Sequence, residues 1–370
     1  MRVLHINCNY IGSTLHQLMI ENLDALGHEN QVFVPTYDKN ISVIKPNPNV
    51  CVCECFNKWD RLVFDYKQGK IRKGLESNIN VEKFELIHAY TLFTDGNCAR
   101  TLSKKYGIPY VAAVRNTDVN TFFKRMPHLR KRGVQIMRDA VAVFFLSEAY
   151  RRQVFEKYIP PAYQEEIQRK THIIPNGIDE FWFENVPQAP KTIDSKSIKL
   201  IYAGRIDKNK NIPTTQKAME ILRSSGYETT LTVVGKVQDQ KEFQRIRKDP
   251  YTTYLPAMPK EELIKAYRAS DIFVMPSYTE SFGLVYAEAM SQGLPVIYTK
   301  DQGFDHQFAE GAVGYHVSAS DPEDVADGIR RIVDAYSEIQ KNVAASAEAF
   351  HWAKIVEKYD HVYEMVKARS

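Results

Sequence analysis

PSYTESFGLVYAEAMSQGLPVI, Pro276 to Ile297, decides the fold of this 370-residue chain. The run before it, Asp271 to Met275, is short and apolar, the composition of a strand buried on both faces of a parallel sheet. Pro276 and Ser277 end it. After a hydroxyl-rich turn, Phe282, Leu284, Val285, Ala287, Ala289 and Met290 predict an apolar helix that stops at Gly293, with Pro295 just beyond. A strand, loop and helix in this order aim the free amides of the first helical turn, here around Ser281 to Leu284, at the carboxyl edge of the sheet, where an anion such as phosphate is held. Glu280 and Glu288 flank that junction. Taken alone, the pair reads as ordinary acids early in a helix, where the macrodipole favours them.

Outward from this segment, short apolar runs alternate with helical stretches along the chain: VLHIN, QVFVP, ELIHAY, YVAAV and VAVFFLS, then KLIYAG, TLTVVG, DIFVM and PVIYT. That is the pattern of parallel sheets flanked by helices. The length exceeds what one core usually supports, so two domains of roughly 150 to 200 residues are expected. Glu184 to Ser197, with Pro187 and Pro190 and little periodicity, reads as the linker. The expected domains are residues 1–183 and 198–350, with the amphipathic terminal segment 351–370 packing back on the first. No Gly-x-Gly occurs, which argues against a dinucleotide-binding dehydrogenase.

The two glutamates, with seven residues between them, stand inside ESFG-hydrophobic-x-x-x-EA-x-x-x-G-x-PV, and upstream lies Leu200 to Ile212, a hydrophobic strand followed by Gly204-Arg205 and, after four residues, Lys210. These blocks, with LTVVG and EELIKAYRASDIFVMPS between them in order, resemble the retaining, nucleotide-sugar-dependent glycosyltransferases of family 4. In the first half, RVLHINC, ELIHAY with His88, and HIIPNGID at His172 to Asp179 resemble the same family more loosely. The resemblance implies the GT-B architecture, α/β with two Rossmann-like parallel-sheet domains facing across a cleft. The first domain would take the acceptor and the second the nucleotide sugar.

By the same resemblance, Arg205 and Lys210 neutralise the departing diphosphate, Glu280 contacts the transferred sugar, and Glu288 accepts the ribose hydroxyls. Gly12, Gly204, Ser281, Phe282, Gly283 and Leu284 complete the expected donor site, and His88, Arg115 and Asp118 the acceptor or sugar pocket. A guanidinium and an ammonium suit a diphosphate, one by bidentate grip and one as a compact charge. No Asp-x-Asp is present, so no metal and no other cofactor is expected. The chain departs from the family at Tyr10 to Thr14, where one glycine replaces a pair, at Arg115 to Asp118, and at Gln302 to His306. These leave the acceptor and sugar pockets open. The implied activity is hexosyl or N-acetylhexosaminyl transfer, UDP-linked, to a glycan or lipid-linked saccharide of a bacterial surface polysaccharide or capsule. Two alternatives stay open: an inactive homologue that binds glycan or scaffolds a partner, and an epimerase or glycan phosphorylase on the same scaffold.

Composition is that of a soluble globular protein with a formal charge of +4. No apolar run is long enough to span a bilayer, and the opening MRVLHIN reads as a strand rather than a signal peptide, so a cytoplasmic location is expected. Cys51, Cys53 and Cys55 alternate along one strand face, and Cys8 and Cys98 read as core fillers; an odd cysteine count argues against a disulfide framework. Lys124 to Arg152 is strongly basic and interleaved with Phe122, Phe123, Met126 and Leu129. It reads either as a surface meeting anionic headgroups on the inner face of the cell membrane or as a solvated helix face. No nucleic-acid reader motif accompanies the charge, and no nucleic-acid partner is expected.

Overall fold

The computed structural model describes residues 1–11, 14–38 and 47–368. The chain forms two compact units: Met1–Leu146 with Tyr150–Gly177 and Trp352–Ser370, and Ile178–His351 with Ser147–Ala149. The passage from one to the other falls at Gly177, ahead of the expected linker. Trp182 accounts for this, because its ring is buried against Tyr267 of the second unit and its carbonyl accepts the Gln292 amide.

The first unit is built on seven strands, β1 (Arg2–Ile6), β2 (Glu29–Thr36), β3 (Val50–Glu54), β4 (Leu86–Ala89), β5 (Tyr110–Val114), β6 (Ala142–Phe145) and β7 (Thr171–Ile173). They are parallel throughout, in the order β3-β2-β1-β4-β5-β6-β7. Period-two alternation divides their side chains between two cores. Leu4 and Ile6 face the helices Phe64–Asn78 and Thr94–Tyr106, whereas Val3 faces the helix Leu15–Ala25 and the terminal helix Trp352–Lys367. Cys51, Cys53 and Cys55 pack on the first core from the edge strand, and Cys98 is buried within it.

The second unit has six parallel strands, β8 (Ser197–Ala203), β9 (Glu228–Val234), β10 (Thr252–Leu255), β11 (Ile272–Val274), β12 (Val296–Thr299) and β13 (Gly314–Val317), ordered β10-β9-β8-β11-β12-β13. Both orders reverse direction beside their first strand, and the crevice outside the carboxyl ends of the strands at such a switch point is where ligands bind in open α/β sheets. In the second unit that point lies between β8 and β11. The helix Leu284–Ser291 follows β11 and ends at Gly293, whose φ of +80° lets its own amide and that of Leu294 reach the carbonyls of Met290 and Ala289.

Candidate active site

The loop after β8 carries Gly204, Arg205 and Lys210, and the loop after β11 carries Glu280 and Ser281, so the switch point brings together residues 70 positions apart. Two asparagines fasten the loops. The Asn209 side chain donates to the Thr279 carbonyl at 2.9 Å and accepts the Thr279 amide at 3.1 Å. Asn211, held at φ +56°, donates to the carbonyls of Pro276 and Ala319. Neither stood out in the sequence, because a lone asparagine beside a lysine reads as turn chemistry until its distant partner is known.

Lys210 extends from this clasp to Glu280, its Nζ 2.6 Å from Oε2, with both side chains nearly out of solvent. The other carboxylate oxygen of Glu280 accepts the Ser281 amide at 2.9 Å, and the Glu280 amide donates to the Gln302 side chain at 3.0 Å. The acid is therefore held at both ends. Arg205 differs: its side chain is 61% exposed and passes Asp207 at 3.9 Å, a free-reaching cation at the rim. Gly235 of the neighbouring loop is needed for close approach, since a Cβ there would lie 1.7 Å from the Gly204 carbonyl oxygen, and a Cβ on Gly204 would meet the Tyr202 hydroxyl at 2.8 Å.

At the start of the helix Leu284–Ser291, Gly283 takes φ +78°, and a Cβ there would meet the Tyr286 ring at 2.5 Å. The Ser281 amide is taken by Glu280, whereas the amides of Phe282, Gly283, Leu284 and Val285 have no partner among the described residues. Phe282 turns its ring inward onto Phe304 and Phe350; it is a core residue, and only its backbone faces the loop. Glu288, one face further along the helix, is partly buried, and no group bonds its carboxylate among the described residues. Burial, with Asp179 nearby, pushes its carboxyl up to about 7, against the smaller opposing pull of Lys260.

The residues assigned to a pocket in the first unit are engaged with other groups of that unit. His88 is fully buried under the terminal helix, its Nδ1 2.5 Å from the Tyr363 hydroxyl and its ring stacked on Tyr90. Burial holds its imidazole well below the usual range. Asp118 is also buried and spends its oxygens on the amides of Leu92, Phe93 and Arg115, tying the loops after β4 and β5 together. Arg115 is partly buried and donates to the Tyr90 carbonyl and the Asn176 side chain. His88 and Asp118 both look functional as motif residues in sequence, but Asp118 is engaged by backbone amides and His88, inside β4, by the Tyr363 hydroxyl. Gly12 lies outside the described residues.

A cavity of about 660 Å³ at the amino edge of the first sheet, lined by residues including Phe84, Ile108, His172 and Val362, contains none of the expected site residues. Among the described residues, Asp305, Glu310 and His316, and separately Asp301, Asp305 and His306, come within ligand distance of one another. The buried Asp305 already accepts the amides of Asp301 and His306 and pairs with His316. No described helix is long and apolar enough to cross a membrane.

Residues 186–350 match the family model for glycosyl transferases group 1, and residues 14–180 that for glycosyltransferase family 4. The chain is 26% identical to the D-inositol 3-phosphate glycosyltransferase of Arthrobacter sp. (strain FB24), over 90% of this chain and 84% of the relative. It is 22% identical to the glycogen synthase of Mycobacterium tuberculosis, over 76% and 69%. Among solved structures, sucrose-phosphate synthase from Thermosynechococcus elongatus superposes with a TM-score of 0.76 at 20% identity, covering both chains fully. Anabaena HepE in complex with UDP and glucose gives 0.68 at 16% identity, covering 99% of this chain and 100% of the other. At these identities the structural likeness is one of fold.

Proposed function

The chain belongs to the group 1, family 4 glycosyltransferases, and from that membership we propose that it is a retaining, metal-independent transferase of hexosyl or N-acetylhexosaminyl groups from a nucleotide sugar. The donor is UDP-linked in this reading, and HepE, which is solved with UDP, supports that choice by likeness. The acceptor is a glycan or lipid-linked saccharide of a bacterial surface polysaccharide, met at the cytoplasmic face of the membrane. The basic run Lys124 to Arg152 supports the membrane part. The names of several relatives raise a phosphorylated polyol as the alternative acceptor.

One observation carries the reading: the Lys210–Glu280 pair sits beside the unpartnered amides of Leu284 and Val285 at the switch point of the second sheet. Charge grows on the diphosphate as the anomeric C–O bond breaks, and directed amides with a desolvated ammonium stabilise it at small reorganisation cost. Arg205 closes on the phosphates from the rim. Glu280 favours positive charge at the anomeric carbon, and Glu288 accepts the ribose hydroxyls. The acceptor oxygen bonds to the face the diphosphate leaves, and the departing phosphate oxygen takes its proton.

The test is the anomeric configuration of the product, read by proton NMR with a chelator present throughout. An α-linked donor giving an α-linked product supports the proposal. An inverted product overturns retention, and turnover that needs an added divalent ion overturns metal independence.

A further inference from the structure

We propose that the turn Trp59–Leu62 and the helix start after it form an interfacial anchor by which the first unit docks on an anionic lipid surface. This deepens the membrane part of the function above and rests on it for the sign of the surface charge.

Four large apolar side chains in eight residues stand out of the protein: Trp59 and Leu62 are each 79% exposed, Val63 59% and Tyr66 58%. Contiguous exposure of this kind marks a binding surface. The turn that presents them is firmly built. The buried Asp60 carboxylate accepts the Asn57 amide at 2.7 Å and the Lys70 ammonium at 2.8 Å, while the Asn57 side chain accepts the amides of Trp59 and Asp60. The apolar groups are therefore held outward rather than left over from a loose loop.

Charge selects the occupant. Lys58, Arg61 and Lys73 are exposed on the same segment, and both of its acids are paired, Asp60 with Lys70 and Asp65 with Arg132. The Arg132 pair and the contact of Phe64 with Phe122, 6.0 Å between centroids, join this segment to the basic run carrying Lys124, Arg125 and Lys131. In that run Phe123 and Leu129 are buried and Phe122 stacks on Phe93, so its own apolar side faces the core. The sequence pointed to the charge, and the 59–66 segment supplies the insertion. Trp and Tyr over a basic surface suit a headgroup boundary, whereas a second copy would bring two cationic faces together.

Of the three tryptophans, Trp182 and Trp352 are buried, so Trp59 reports alone on its surroundings. The full chain is mixed with vesicles of phosphatidylcholine with and without phosphatidylglycerol, and emission and co-sedimentation are read. The proposal expects a blue shift and sedimentation with the anionic vesicles, both weakened by salt. Trp59→Ala with Leu62→Ala should reduce partition about tenfold or more, and Lys58→Glu with Arg61→Glu should weaken it as well. All four positions are exposed, so folding is not at stake. Unchanged emission, binding indifferent to these substitutions, or a dimer that Trp59→Ala with Leu62→Ala disperses overturns the proposal. Failure of the transferase reading would appear instead as absent donor turnover with vesicle binding intact.

Discussion

Glu288 carries a pH signature that its sequence position does not reveal. Its carboxyl titrates near 7 in the fold against 4.5 unperturbed. The unfolded chain releases this proton first, so Glu288 makes the fold less stable as pH rises from about 4.5 to about 7, and the loss is complete above that. If the ionised form receives two ribose hydroxyls, donor affinity rises as pH climbs through about 7. Glu288→Gln should therefore be more stable than wild type at pH 8 by urea titration. Its donor binding should be weaker by about tenfold to a hundredfold and insensitive to pH by calorimetry. Arg205 should behave differently. Its ion pair is long and exposed, so Arg205→Ala should leave the melting temperature unchanged. Its donor KM should rise about tenfold, the worth of one charge-assisted hydrogen bond.

At the scale of elements, strand and helix order was legible because buried parallel strands are apolar runs and the helices are punctuated by Gly293 and Pro295. The placement of Arg205, Lys210 and Glu280 was legible for the same reason: each follows a strand that the pattern identifies. What escaped was the fastening between loops. Asn209 and Thr279 lie 70 residues apart, and no local period encodes their double hydrogen bond. Asn209→Ala removes both bonds, each worth about 1 kcal/mol, and should lower kcat more than it raises donor KM, because Lys210 and Glu280 remain present but lose their fixed spacing. A steady-state comparison checks this, and an unchanged kcat would remove Asn209 from the account. His88 and Asp118 escaped in the opposite sense, as motif-like residues whose burial and partners, the Tyr363 hydroxyl for one and three backbone amides for the other, appear only once β4, β5 and the terminal helix are assembled.

At the scale of the whole molecule, the last helix belongs to the first unit although the second precedes it in the chain. It buries Ile355, Val356, Tyr359, Val362 and Tyr363 and is tied down by His28 to Asp360 and His88 to Tyr363. Burying each such side chain contributes about 1.5–3 kcal/mol, so their sum rivals the 5–15 kcal/mol that holds a typical domain together. Truncation before Trp352 should abolish or sharply lower the melting transition of the first unit and leave that of the second, read by scanning calorimetry. The central claim is that the second unit positions Lys210 and Glu280 for metal-independent transfer from a nucleotide sugar. It is tested most directly by nucleoside diphosphate release from UDP-, GDP-, ADP- and dTDP-sugars, with chelator present, by wild type, Lys210→Ala and Glu280→Ala. The account predicts release from one donor that either substitution cuts by about a hundredfold or more; release that survives both substitutions, or no turnover and no nucleotide binding with any donor, would contradict it.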